Sequence, residues 1–118
     1  MDFKHSVVAI IPCNDLDASQ AFYERLGFRA TSIYPHHGYR ILHDGQGASV
    51  HLTRTEPGWV VPERNAHSLY FYAENVEALA AEFDGKAEAK PWGLIEFAVS
   101  DPNGTLVRIG WPSEIVNS

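Results

Sequence analysis

The sequence contains little cysteine and no long hydrophobic run. Cys13 is its single cysteine, which excludes an intramolecular disulfide and any Cys-x-x-Cys redox or zinc motif. The uninterrupted apolar run at residues 7–11 is far shorter than the ~20 residues of a membrane-spanning helix. Residues 1–5 lack the pattern of a signal peptide. We therefore expect a cytoplasmic protein with no membrane partner.

Basic residues are also scarce in this chain. Nine Lys and Arg against 15 Asp and Glu give a formal net charge of -6, and this sign disfavours binding to phosphate backbones or anionic lipid. We therefore expect no nucleic-acid partner, and a cationic partner fits the charge better. The 118 residues, of which 45% are hydrophobic and 20% charged, are typical of one globular domain. We interpret residues 1–118 as a single domain.

Hydrophobic periodicity in the first half predicts a strand, a helix and three further strands. The β-branched run at residues 7–12 predicts the first strand. Asp17 and Gln20 have the spacing of a capping box, and Gly27 is suited to the left-handed conformation that ends a helix. Three short stretches bounded by Pro and Gly predict strands joined by turns, at residues 28–34, 39–43 and 48–53.

The second half repeats this order. A strand at residues 68–72 precedes a helix that is predicted to begin after Asn75 and to end at Gly85. Further strands are predicted at residues 93–100 and 105–111, with a weaker one at 87–90.

Matching residue types recur at an offset of 57, for example Asp44 with Asp101 and Gly47 with Gly104. We therefore predict an α+β fold in which two βαβββ modules form a cleft. Module 1 is assigned to residues 1–54, the linker loop to residues 55–66 and module 2 to residues 67–118.

Strand alternation divides the strand residues into two faces, and the more apolar face must lie beneath the helices. That face is predicted to carry Val50, Leu52, Leu69, Phe71, Ile95, Phe97, Val99, Val107 and Ile109. The other face mixes aromatic, polar and charged groups, and its members include His51, Tyr70, Tyr72, Glu96, Arg108 and Gly110. Because tyrosine rings are mostly apolar, we interpret this second face as the lining of a cleft.

Three sequence segments carry a resemblance to a known family. Residues 14–28, the segment Pro91-Trp92-Gly93 followed by Glu96-Phe97-Ala98, and the segment Asp101-Pro102-Asn103-Gly104 resemble the vicinal oxygen chelate superfamily. Within it, the chain is most similar to the bleomycin resistance proteins, along nearly its whole length. The resemblance implies a homodimer whose cleft binds bleomycin-type drugs, which are cationic and aromatic, without modifying them.

Some members of this superfamily are metal enzymes, such as glyoxalase I and the extradiol dioxygenases. The resemblance places Val8, His51, Ser68 and Arg108 at the four glyoxalase-like ligand positions. Only His51 is a usual metal ligand, and Arg108 would bring a fixed positive charge to the metal position. We therefore expect no metal, no other cofactor and no catalytic residue. A metal-dependent lyase or dioxygenase, and a binder of another small aromatic molecule, remain the alternatives.

The ligand-binding residues are assigned partly from the resemblance. Trp92 matches the family tryptophan implicated in ring stacking, and Tyr39 lies near an aromatic position of the opposing half. Glu96 either takes a cationic group or is a solvated carboxylate at the rim. Trp59 either forms a wall of the site or covers the core, and His51 is interpreted as a hydrogen-bonded ring rather than a general base. The full candidate set is Tyr39, His51, Trp59, Tyr70, Trp92, Glu96 and Arg108.

The resemblance also bears on how the dimer forms. Family members often exchange the N-terminal strand between subunits near a proline. Here Ala9 occupies that position whereas Pro12 is retained. We expect dimerisation, and we leave the exchange of the strand open.

Overall fold

The computed structural model describes residues 4–113, which form two four-stranded sheets and two α-helices. Module 1 consists of β1 (Ala9–Cys13), α1 (Leu16–Arg25), β2 (Arg29–Tyr34), β3 (Tyr39–His43) and β4 (Ser49–Arg54). Module 2 consists of β5 (Ser68–Tyr72), α2 (Val76–Glu82), β6 (Glu88–Ala89), β7 (Leu94–Ser100) and β8 (Leu106–Pro112). The predicted α+β fold of two βαβββ modules is confirmed. Neither helix is long and apolar enough to span a membrane.

The two sheets have the same topology. Their strand orders are β1-β4-β3-β2 and β5-β8-β7-β6. In each sheet the first strand of the module pairs in parallel with the last, and the other pairs are antiparallel. The parallel pair requires a crossover connection, which includes the helix of the module. In this single-chain structure β1 pairs with β4 of its own chain.

The internal repeat extends to the hydrogen bonds of the turns before β4 and β8. Asp44 Oδ1 accepts hydrogen bonds from the backbone N–H groups two and four residues further on, at 2.8 and 2.9 Å. Asp101 Oδ1 does the same at 2.8 and 3.0 Å. An Asp side chain that closes its own turn in this way fixes the hairpin locally. The offset of 57 therefore relates equivalent turns as well as similar residues.

The start of α1 differs from the prediction. Asp15, not Asp17, is the N-cap, and its Oδ1 accepts a hydrogen bond from the Ala18 N–H at 3.0 Å. Asp17 lies in the first turn and forms a 2.8 Å ion pair with Arg40 on β3. The expected capping box is therefore wrong, since Asp15 fills the N-cap position and Asp17 is left to pair with Arg40. Gly27 has a φ of 98°, which confirms its left-handed conformation after the helix.

The end of α2 also differs in detail. The helix ends at Glu82, before the predicted Gly85, and Asp84 takes the left-handed conformation with a φ of 58°. The N–H groups of Asp84 and Gly85 donate to the carbonyls of Ala81 and Ala80, which is the hydrogen-bond pattern of a Schellman motif. Asp tolerates this conformation better than most residues because its short side chain bonds locally. Asn75 lies at the N-cap as predicted, although its side chain makes no capping hydrogen bond.

The apolar faces of both sheets contribute to one hydrophobic core. The strand residues predicted for this face are either buried or packed against the buried cluster. Phe28 and Phe71 connect the modules with ring centroids 5.2 Å apart, and Phe22 on α1 contacts Phe83 after α2 at 5.3 Å. The predicted assignment of the two faces is therefore confirmed.

A buried set of polar side chains, which we call the inter-module polar cluster, connects two parts of the chain. These parts are α1, with the segment just before it, and the β7–β8 turn. The Tyr23 hydroxyl donates to Asp101 Oδ2 at 2.7 Å, and Asn103 Nδ2 donates to Ser19 Oγ at 3.1 Å. The Asn14 backbone N–H donates to Asn103 Oδ1 at 2.9 Å. The Asp-Pro-Asn-Gly segment therefore fixes the relative position of the modules in addition to forming a turn.

Candidate functional site

Five candidate residues lie on the open faces of the two sheets, opposite the helices, whereas Trp59 lies in the linker loop and Trp92 in the turn before β7. On module 1, Tyr39 lies on β3 and His51 on β4. At an offset of 57 the same two positions on module 2 are Glu96 on β7 and Arg108 on β8. Tyr70 on β5 pairs in register with Arg108. The site residues thus form two groups that the repeat places at equivalent points.

Tyr39 and His51 form a hydrogen-bonded pair. The Tyr39 hydroxyl lies 2.7 Å from His51 Nδ1, and the two rings meet edge to face with centroids 5.3 Å apart. Burial lowers the pKa of His51, and the nearby His43 lowers it further, so the neutral imidazole is favoured at pH 7. When the Tyr39 hydroxyl donates to Nδ1, Nε2 carries the proton and offers a donor to a guest.

Glu96 lies at the centre of the second group, which we call the Glu96 cluster: Tyr70, Trp92, Glu96 and Arg108. Glu96 is only 4% exposed. Its Oε2 accepts the Tyr70 hydroxyl at 2.7 Å and the Trp92 indole N–H at 3.3 Å. Arg108 Nη1 lies 4.0 Å from Oε1. The alternative of a solvated rim carboxylate is therefore wrong.

The hydroxyl of Tyr70 is held in its protonated form by these surroundings. Burial raises the pKa of Tyr70, and the hydrogen bond to Glu96 and the charge of that carboxylate raise it further, against a smaller opposing effect of Arg108. A neutral phenol remains a hydrogen-bond donor throughout the physiological pH range. The Tyr70 hydroxyl can therefore donate to Glu96 throughout that range.

Gly110 adjoins the Glu96 cluster but is not among the candidate ligand-binding residues. It lies on β8 with Tyr72 and Glu96 as its partners on the two neighbouring strands. A side chain at Gly110 would overlap the Tyr70 hydroxyl and press on the Glu96 side chain. A glycine inside a strand pattern often marks such a close approach, and that signal was present in the sequence. The Tyr70–Glu96 hydrogen bond thus depends on the missing Cβ.

Several aromatic rings remain exposed around these groups. Trp92 is 62% exposed and Tyr72 is 58% exposed, and the ring centroids of Tyr70 and Tyr72 are 5.1 Å apart. Trp59 is 77% exposed, so it does not cover the core. The loop that carries Trp59 is held by Asn65, whose side chain donates to the Asn103 carbonyl at 2.9 Å. These rings provide apolar contact area that the single chain leaves open.

The two groups remain separate within one chain. Among residues 4–113, no hydrogen bond, ion pair or ring contact joins Tyr39 or His51 to the Glu96 cluster. A pocket of about 290 Å3 adjoins the Glu96 cluster and includes Arg108 and Phe97 in its lining. This volume lies at the lower limit of about 300–1,000 Å3 for small-molecule sites. Each group is therefore a partial site.

The residues at the glyoxalase-like positions do not fit a divalent metal. Within the described part of the chain, no group of three or more His, Cys, Asp and Glu side chains comes together as metal ligands. The Tyr39 hydroxyl engages His51 Nδ1, while Arg108 adds a positive charge and Ser68 is a poor ligand for such an ion.

Cys13 is buried and makes no contribution to the open faces. Burial is the main cause that raises its pKa, and its thiol donates to the Ile11 carbonyl at 3.2 Å. A thiol with a raised pKa is a poor nucleophile at neutral pH. The side chain thus packs in the core.

The fold and the two-module arrangement define a protein superfamily. The model of the Glyoxalase/Bleomycin resistance protein/Dioxygenase superfamily matches residues 4–109. The chain belongs to this superfamily, as its sequence segments predicted.

Among solved structures, the chain is similar to bleomycin-binding proteins and to a bleomycin resistance determinant. A bleomycin-binding protein complexed with bleomycin has a TM-score of 0.78 and 23% identity, with 93% of this chain and 100% of that chain covered. A bleomycin resistance determinant encoded on the transposon Tn5 has a TM-score of 0.78 and 24% identity, with 94% and 99% covered.

A third structure, a bleomycin-binding protein from Streptomyces verticillus complexed with copper(II)-bleomycin, has a TM-score of 0.70 and 21% identity, with 97% and 100% covered. At these identities the likeness shows the fold. A comparison with curated proteins gives no significant match.

Proposed function

We propose that this protein binds a cationic, aromatic small molecule of the bleomycin type and sequesters it without chemical change. The observation that carries the proposal is that Trp92 is 62% exposed while its indole N–H is bound to Glu96. An aromatic ring that is fixed at one edge and open on its face is suited to stacking on a flat guest. The named ligands of the similar structures support this ligand class.

Two further properties support this ligand class. Each aromatic contact contributes about 0.5–1.5 kcal/mol beyond the burial of area, and Tyr70 and Tyr72 extend the aromatic surface beside Trp92. The net charge of -6 attracts a cationic guest over a longer range. Binding alone, with no reaction, is sufficient to withhold such a guest from its target.

The proposal includes a cytoplasmic homodimer in which each chain is one domain. The open faces leave large apolar side chains uncovered, including Ile10 at 52% and Tyr34 at 46% exposure. Uncovered apolar area of this kind favours association with a second surface. A twofold dimer would provide two equivalent clefts, each completed by residues that one partial site lacks.

The test is a titration of the purified protein with metal-free bleomycin. Quenching of tryptophan fluorescence should give micromolar or tighter affinity, equivalent to about 8 kcal/mol or more. Mass spectrometry should recover the drug unchanged. Trp92→Ala should abolish most of the affinity, whereas Trp111→Phe, at a partly exposed tryptophan outside the cluster, should retain it.

Two results would reject the proposal. The first is the absence of binding at millimolar drug. The second is a changed drug mass together with a stoichiometric metal in protein purified without chelators, which would instead support a metal-dependent lyase or dioxygenase.

A further inference from the structure

Glu96 lines the pocket of about 290 Å3, but its carboxylate is already largely engaged by neighbouring side chains. Its carboxylate belongs to a residue that is 4% exposed, and Oε2 already accepts two hydrogen bonds, from Tyr70 and Trp92. Oε1 faces the Arg108 guanidinium at 4.0 Å. A cationic group of a ligand that approached Oε1 would meet the positive charge of Arg108. Direct recognition of a cation by Glu96 is therefore unfavourable.

Trp92, in contrast, depends on Glu96 for its orientation. With 62% of the residue exposed, the indole has little packing to restrict its rotamers. The N–H to Oε2 hydrogen bond is its one polar contact within the described residues. Gly93 follows with a φ of 82° and donates its N–H to the Lys90 carbonyl at 3.1 Å. The backbone turn and the carboxylate together determine where the indole face points.

The same carboxylate orients a second ring from another strand. Tyr70 reaches Glu96 across Gly110, where no Cβ intervenes. The ring centroids of Tyr72 and Tyr70 lie 5.1 Å apart. Fixing the Tyr70 ring therefore limits the rotamers that the Tyr72 ring can adopt. Groups whose rotamers are locked by a common buried partner bind with less loss of side-chain entropy.

We propose that Glu96 is a positioning residue that holds the Trp92 and Tyr70 rings in the orientation that receives a planar guest, and that it does not bind the cationic group of the guest. Arg108 offsets the buried charge, and the glycine at position 110 makes the arrangement sterically possible. The role in ligand binding rests on the proposed function above, whereas the orientation of Trp92 can be measured without a ligand.

Two substitutions separate positioning from cation binding. Glu96→Gln keeps a carbonyl oxygen that accepts the Trp92 and Tyr70 donors but removes the charge, whereas Glu96→Leu removes both. Metal-free bleomycin and a neutral bithiazole fragment serve as probes. We expect Glu96→Leu to weaken binding of both probes about tenfold or more, and Glu96→Gln to weaken them about threefold or less. Glu77→Gln, which removes one charge from the exposed face of α2, is the control for net charge.

The outcome that overturns the proposal is selective loss for the cationic probe. If Glu96→Gln weakens bleomycin binding as much as Glu96→Leu does, while the neutral fragment binds as before, Glu96 binds the cation directly. Unchanged binding of both probes to a folded Glu96→Leu variant would overturn it as well.

A second measurement needs no ligand. In a Trp59→Phe/Trp111→Phe background, Trp92 is the only tryptophan, and its time-resolved fluorescence anisotropy reports its local motion. We expect Glu96→Leu to increase nanosecond motion of the indole and Glu96→Gln to retain most of the restriction. Equal anisotropy decays for Glu96 and folded Glu96→Leu would refute positioning, even if bleomycin binds. The expected decays without any bleomycin binding would support positioning and reject the proposed function.

If Glu96→Leu does not fold, Glu96→Gln decides the matter alone. Lost bleomycin affinity with an unchanged Trp92 anisotropy decay would overturn the proposal, and retention of both would support it.

Discussion

At the scale of single residues, two buried carboxylates show how this acidic chain stabilises negative charge in its interior. Asp101 is 5% exposed and Glu96 is 4% exposed, and each accepts a 2.7 Å hydrogen bond from a tyrosine hydroxyl. A buried charge is costly unless it is hydrogen-bonded. Asp101 has no ion pair within the described residues, so its stabilisation depends on neutral donors, chiefly Tyr23 and two backbone N–H groups.

Removal of the Tyr23 hydroxyl should therefore destabilise the fold. Tyr23→Phe leaves Asp101 Oδ2 with only the longer 3.3 Å contact to Asn103. We expect a loss of about 1.5–3 kcal/mol in the free energy of unfolding, the range for hydrogen bonds to charged groups. Urea denaturation provides the measurement, with Tyr34→Phe on the exposed end of β2 as the matched control. Equal stability of the two variants would contradict this role of Tyr23.

The same phenol makes stability depend on alkaline pH. Burial raises the pKa of Tyr23 above its ordinary value near 10, and the Asp101 charge and hydrogen bond raise it further. Above about pH 10 the unfolded chain releases this proton while the folded chain keeps it, so the free energy of unfolding falls as pH rises. Burial of Cys13 acts in the same direction, starting at lower pH.

This pH dependence is measured by urea denaturation at intervals from pH 8 to 11. We expect the wild-type free energy of unfolding to fall more steeply above about pH 10 than that of Tyr23→Phe, which has no phenol to titrate. Parallel curves for the two proteins would show that Tyr23 does not contribute.

At the scale of helices, strands and turns, local sequence patterns predict the order of the elements better than the residues at which each element begins and ends. The predicted order of strands and helices is observed, because periods of 2 and 3.6 follow from backbone geometry. The cap of α1 could not be predicted in the same way. Asp15 and Asp17 are both suitable caps, and in the folded chain Asp15 caps the helix while Asp17 pairs with Arg40 from β3. A residue brought close by tertiary folding leaves no signal in the local sequence.

The linker loop provides a test of backbone geometry. Gly104 in the β7–β8 turn and Gly58 in the loop have nearly equal φ values, 85° and 88°. A Cβ at Gly104 would collide with the backbone of Pro62, whereas nothing lies within 4 Å at Gly58. We expect Gly58→Ala to cost about 1–2 kcal/mol for the left-handed conformation alone, and Gly104→Ala to cost more, because the loop must also move.

Urea denaturation of both alanine variants measures this difference. Because the two glycines have nearly equal φ values, the difference between the two losses chiefly reports the contact of the loop with the turn. Equal losses of stability would mean that the loop at Pro62 moves away from the new Cβ at position 104 without a measurable cost in the free energy of unfolding.

At the scale of the whole molecule, the sequence predicts which face carries the site but not how its residues are connected. Alternation places His51, Glu96 and Arg108 on the open faces. The burial of Glu96 could not be predicted, because it results from Tyr70 and Trp92 converging from different segments of the chain. Strand periodicity contains no information about which side chain bends over its neighbours.

The separation of the two partial sites leads to a prediction about the dimer. If a cleft combines Tyr39 and His51 of one chain with the Glu96 cluster of its partner, Trp92→Ala and Tyr39→Ala each damage both clefts of a homodimer. In a heterodimer of the two variants, one cleft receives both substitutions and the other receives neither. Random mixing then restores about a quarter of all clefts, since half of the dimers are heterodimers with one intact cleft each.

The measurement is a bleomycin titration of the two variants alone and after they are unfolded and refolded together, with sedimentation to confirm a mass of two chains. Each variant alone should bind about tenfold more weakly or worse, whereas about a quarter of the sites in the mixture should regain wild-type affinity. If each cleft instead lay within one chain, every chain would carry one substitution and mixing would restore none. Dimers without restored sites would therefore place the cleft within a single chain, and the exposed aromatic faces would need another explanation.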